Sequence, residues 1–130
     1  MQLLYESKHA RLEIDAAKRL IRYTRSAEPF ASLAEAERMF HELGAANVGI
    51  DRGELALLSD IRLAPGRNDE AFEGAVASHR HELFGGFKRR ATLVRTLVGK
   101  LQVQRLNRSS ILATEVFDDE AAAIAYLLAP

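Results

Sequence analysis

Hydrophobic and polar positions follow two different periods along this chain, and the switches between them mark its elements. Leu3-Leu4-Tyr5 is a short apolar strand. Ala10, Leu12 and Ile14 then alternate with Arg11, Glu13 and Asp15, the period-two spacing that puts apolar side chains on one face of a strand. Beyond a short turn at Asp15-Ala16-Ala17-Lys18, Leu20, Arg22 and Thr24 alternate with Ile21, Tyr23 and Arg25. Two alternating runs so closely linked predict an antiparallel hairpin.

After a break at Ser26 to Pro29 the period lengthens. Ser32-Leu33-Ala34-Glu35 has the form of a capping box, with Ser32 accepting from the Glu35 amide and Glu35 reaching back. Leu33, Ala36, Phe40 and Leu43 recur at helical spacing, and Gly44 stands where a left-handed terminator is expected. Residues 45–53 carry no clear period; Val48 and Ile50 are expected there as buried anchors. An apolar strand over 54–61, containing Leu55-Ala56-Leu57-Leu58 and ending Ser59-Asp60-Ile61, feeds the loop Ala64-Pro65-Gly66-Arg67-Asn68-Asp69. Asp69 is the expected N-cap of a helix opening at Glu70, with Phe72, Val76, His79 and Leu83 on one face and Gly85-Gly86 at its end.

A strand over 88–96 follows, then a helix capped by Thr96 in which Val98, Leu101, Arg105 and Leu106 lie near one another. Glu115-Val116-Phe117 predicts a last strand, and Asp118 an N-cap for a helix from Ala121 to Leu128 that buries Ala123, Ile124 and Leu127. The expected class is α/β, with an N-terminal antiparallel hairpin, then parallel strands, and about four helices, because strand–helix–strand crossovers are right-handed and parallel. One domain over 1–130 is the simplest organisation.

Composition narrows the functions. A chain of 130 residues, 48% hydrophobic and 28% charged, can bury its own core. With no cysteine, disulfides, thiolate metal sites and cysteine nucleophiles are excluded. No apolar run approaches the roughly 20 residues of a membrane-spanning helix, and Glu6 and Lys8 close behind the first apolar patch are unlike a signal peptide, so the cytoplasm is the expected location. Net charge is zero but segregated, with residues 79–108 strongly basic and residues 109–130 acidic. Such segregation either steers an anionic partner or matches neighbouring elements within the fold.

Little in the sequence promises catalysis. His79 and His81, two apart on a helix, point to different sides and cannot share a metal. Gly85-Gly86 before Phe87-Lys88-Arg89-Arg90 follows a helix, whereas phosphate-binding glycines precede one. Ser59-Asp60 with either histidine has no spacing that supports a hydrolytic set. No metal, no cofactor and no enzymatic activity are expected. Lys100, Gln104 and Arg108 share a helical stripe, a candidate face for an anionic partner. The basic window from Lys88 to Arg108 has no aromatic residue, so nucleic acid is not the expected partner.

The element order, with the strand end Leu57-Leu58-Ser59-Asp60, the polar loop before Glu70 and the closing Val116-Phe117-Asp118-Asp119-Glu120-Ala121 and Ala123-Ile124-Ala125-Tyr126-Leu127, resembles the STAS family. That is the fold of sulfate-transporter cytoplasmic domains and anti-sigma-factor antagonists, and the similarity, closest to small stand-alone bacterial members, runs from about His9 to Leu128. The resemblance implies a non-catalytic regulatory or protein-interaction module. Its partner surface would comprise Arg67, Asn68 and Asp69 with Glu70 and Glu73; the partner would be a protein, a second copy of the chain being one candidate. In that family the loop carries a serine or threonine that a partner kinase phosphorylates. Here the loop from Ala64 to Asp69 has no hydroxyl, so Asp69 supplies either a permanent single charge or only a helix cap. The alternative function is a small-ligand or lipid-binding α/β module.

Overall fold

The computed structural model describes residues 1–66, 69–108 and 114–130, with only the backbone of Leu106 and Arg108. Six strands form one sheet in sequence order: β1 (Gln2–Glu6), β2 (Ala10–Asp15), β3 (Leu20–Arg25), β4 (Ala56–Asp60), β5 (Arg89–Leu93) and β6 (Glu115–Phe117). The pairs β1–β2 and β2–β3 are antiparallel and the remaining three are parallel. Between the parallel strands run α1 (Leu33–Ala46), α2 (Glu70–Phe84) and α3 (Leu97–Arg108), and α4 (Glu120–Leu128) closes the chain. The expected mixed sheet and element order are therefore observed.

Burial on both faces explains why Leu55-Ala56-Leu57-Leu58, leading into and through β4, reads as an apolar run and not as an alternation. Every residue of β4 is buried. On one face Leu12, Ile21 and Leu57 pack against Ala36, Met39, Phe40 and Leu43 of α1 and Ala75 and Leu83 of α2. On the other, Leu20, Ala56, Leu58, Ala91 and Leu93 meet Ala123 and Leu127 of α4. Odd-numbered residues of β3 and β4 thus face α1 and α2, and even-numbered ones face α4.

Local chemistry differs from expectation at four points. Ser32 does accept from the Glu35 amide (3.2 Å), but the Glu35 carboxylate reaches the Ala31 amide (3.0 Å) and lies 2.9 Å from His9 Nε2, so it also ties the helix start to the β1–β2 connection. Gly44 does not terminate α1, which continues to Ala46 with Asn47 as C-cap; the left-handed glycine is Gly49 (φ 85°). A Cβ at Gly44 would meet only the Glu82 side chain of α2, whose half-exposed carboxylate end can swing aside. Val48, expected as a buried anchor, is 80% exposed, whereas Ile50 is partly buried against the core. The α4 cap is Asp119, accepting from the Ala122 amide at 3.2 Å, rather than Asp118. The α2 cap is as expected, Asp69 accepting from the Phe72 amide at 3.1 Å, and Gly86 (φ 84°) follows its end.

Candidate functional site

Where α1 and α2 diverge from the sheet, the alternating face of β3, β4 and β5 is left partly uncovered by side chains. The result is a cavity of about 380 Å³. Its floor is Tyr23 and Arg25 of β3, Leu57 and Ser59 of β4, and Arg90 and Thr92 of β5. Phe40 of α1, Phe72, Val76 and Leu83 of α2, and Val103 of α3 form the roof. Phe30 before α1 and the loop residues Ala64, Pro65 and Gly66 complete one end. Phe30, Phe40 and Phe72 stand with ring centroids 6.2–6.4 Å apart, spacing typical of aromatic contacts, and give that end an apolar lining.

The polar groups of the lining include three arginines, the hydroxyls of Tyr23, Ser32, Ser59, Thr92 and Thr114, and the amide of Gln102. Arg25 is only 6% exposed. Its Nη1 donates to the His9 and Ser26 carbonyls and its Nη2 to the Glu28 carbonyl, while the guanidinium lies 4.5 Å from the Phe30 ring centre. It forms no ion pair with a described residue, and burial lowers its pKa, opposed only by Tyr23. Burial likewise pushes the Tyr23 phenol up. At the other end Arg80, also 6% exposed, donates from Nη2 to Asn107 Oδ1 at 2.8 Å. Asn107 in turn donates to the Thr114 carbonyl (2.8 Å) and accepts from the Thr114 amide (3.1 Å). Thr92 and Thr114 share a hydroxyl–hydroxyl bond of 3.1 Å, and Arg90 Nη1 reaches the Phe84 carbonyl at 3.4 Å.

An ion network occupies the opposite face of the sheet. Asp60 Oδ2 accepts from Arg22 and Arg62 at 2.7 Å each, and Asp60 Oδ1 accepts from the Arg62 amide (3.2 Å) and Nε (2.9 Å). Both arginines also reach Glu120 Oε1 at 2.8 Å. Burial raises the Asp60 pKa, but the Arg62 and Arg22 contacts more than reverse this and hold it down at about 2. This network ties the end of β4 and the loop after it to β3 and to the start of α4. Asp60 accordingly organises the strand end, with the charges consumed internally.

Of the expected partner residues, Asp69, Glu70 and Glu73 stand at the start of α2. Arg67 and Asn68 lie outside the described residues. Asp69 caps α2, Glu70 is exposed on its first turn, and Glu73 accepts from Arg105 Nη2 (2.6 Å) and Nε (2.9 Å). That contact pairs the basic segment with an earlier element, as does Glu120 with Arg22 and Arg62 for the acidic tail. Lys100 and Gln104 are exposed on α3, and Arg108 is its last residue. His79 and His81 both lie on α2; His79 is half-buried, 5.6 Å from the Phe40 ring centre, and outside the cavity lining. Among the described residues no cluster of histidine and carboxylates could hold a metal.

The cavity was not anticipated, although a trace of it is readable. Arg25 continues the Ile21, Tyr23 face of β3, and Arg80 sits four residues from Val76 and three from Leu83 on the apolar stripe of α2. A cation at a core position is the anomaly that marks such a place.

No family model and no curated protein matches the sequence. Among solved structures, an uncharacterised protein of the DUF3478 family from Shewanella loihica PV-4, described as having a SpoIIAA-like fold, superposes with a TM-score of 0.65 at 18% identity, covering 95% of this chain and 98% of that one. An antiparallel start, parallel strands in sequence order and helices on both faces therefore make this the SpoIIAA-like fold of STAS domains and anti-sigma-factor antagonists.

Proposed function

We propose that this chain is a non-catalytic, small-molecule-binding module of the STAS type. The observation that supports it is the cavity itself. Its volume of about 380 Å³ falls in the range of ligand sites, and its largely apolar lining with a few polar groups is the composition such sites have. The described lining offers guanidinia, hydroxyls and an amide, groups suited to binding and orienting a ligand.

Native mass spectrometry of freshly purified protein tests this. A bound small molecule is expected, lost on denaturation and lost from a Val76→Phe variant that fills the cavity and still folds. Wild type at the mass of the bare chain, with no response to added apolar ligands, would contradict it.

A protein partner fits the same place. Ala64, Pro65, Gly66 and Phe72 are cavity wall and also flank the loop expected to carry the partner surface, so occupancy would be felt there. Affinity purification with wild type and an Arg67→Ala/Asp69→Ala variant is expected to show a partner retained only by wild type; identical partners with both baits would refute it.

A further inference from the structure

We propose that the cavity selects apolar molecules that carry a hydroxyl or carbonyl oxygen within their body, and that Tyr23 and Ser59 on its floor bind that oxygen. The assignment rests on the reading of the cavity as a ligand site and names the chemistry it takes.

Three hydroxyl side chains form a row across the cavity floor. Register pairs Tyr23 of β3 with Ser59 of β4, and Ser59 with Thr92 of β5, so the three stand side by side on the face turned towards α1 and α2. Thr92 has a partner in the Thr114 hydroxyl. Ser59 is only 5% exposed and Tyr23 is half-buried, yet among the described residues neither hydroxyl has a hydrogen-bond partner. Burial pushes the Tyr23 phenol up, which keeps it protonated and a donor. Two residues earlier on the same strand faces stand Ile21 and Leu57, both buried in the core. Packing alone calls for another apolar pair, and the chain places two hydroxyls there instead.

The roof above is apolar, with Phe40, Val76 and Leu83 among its residues, and these side chains supply no acceptor. A hydrocarbon in the cavity would therefore displace solvent from both hydroxyls and leave them unpaired, which loses affinity. A ligand oxygen restores the bonds. Adjacent strands stand about 4.8 Å apart and a carbonyl oxygen has two lone pairs, so one oxygen above the gap between β3 and β4 accepts from both side chains. Continued to its ends, the row runs from Leu12 of β2 to Val116 of β6 and contains no charged residue. A neutral oxygen flanked by apolar groups matches it.

Calorimetric titration of the full chain with benzophenone and diphenylmethane, which differ by a carbonyl in place of a methylene, tests the assignment. A Tyr23→Phe/Ser59→Ala variant removes the two hydroxyl oxygens and keeps the rest of the floor. The variant is expected to bind benzophenone about tenfold or more weakly than wild type, the loss of one to two hydrogen bonds, with diphenylmethane affinity unchanged or improved. Where the double variant does not fold, Ser59→Ala alone, a single-atom deletion, should weaken benzophenone about fivefold and spare diphenylmethane. Benzophenone affinity kept in the variant, or both ligands weakened alike, would overturn the role of the hydroxyl row and leave the small-molecule reading standing. If neither ligand binds wild type, the reading of the cavity as a binding site falls and this assignment with it.

Discussion

Replacing Asp60 with asparagine isolates the ion network that fixes the end of the central strand. The Asp60 pKa is held at about 2, below an ordinary 3.8, so ionised Asp60 stabilises the folded state. The gap corresponds to about 2 kcal/mol. Its surroundings are partly open, with Arg62 36% and Glu120 39% exposed, and screening trims the figure to about 1–2 kcal/mol. Because the folded pKa is the lower one, this stability is fully present above about pH 4 and is lost as pH falls towards 2. Urea denaturation of wild type and Asp60→Asn at pH 7, 4 and 2.5 is the assay. The variant should be less stable by about 1–2 kcal/mol or more at pH 7, since among the described residues it also leaves Glu120 as the one carboxylate paired with Arg22 and Arg62. The difference should shrink steadily at acid pH. A variant as stable as wild type at pH 7, or a difference that stays constant down to pH 2.5, would refute the reasoning.

Other substitutions separate the two faces of the sheet. Leu58→Ala, at a fully buried position against α4, should cost about 3 kcal/mol in chemical denaturation and leave any ligand affinity of the surviving folded protein unchanged, because Leu58 faces away from the cavity. Asp69→Ala removes a side-chain bond to the Phe72 amide and should cost about 1 kcal/mol, read as a small fall in melting temperature.

The framework was legible because it depends on local periods. Ala10, Leu12 and Ile14 announced one strand and Leu33, Ala36, Phe40 and Leu43 one helix, and in both cases the partner surface accepts the face the period predicts. Errors arose where tertiary contact overrides local preference. Gly44 reads as a terminator by residue type, yet α1 continues past it to Ala46 and buries it beside the Glu82 side chain of α2. Asp118 and Asp119 are equally good caps in sequence, and only the position of the first turn of α4 selects the second. The cavity was harder still. It is a volume left between Phe30, Phe72, Leu57 and Val103, residues scattered over four segments, and no local pattern records an unfilled space.

The most direct test is a backbone amide NMR titration of the full chain with dodecanol, the simplest apolar probe for the cavity. The account predicts saturable shifts at Leu57, Ser59, Phe72, Val76 and Thr92, with Leu20, Leu58, Ala123 and Leu127 on the α4 face little changed. Shifts confined to the α4 face or to exposed Leu97, Val98 and Leu101 of α3, or none at all, would contradict it.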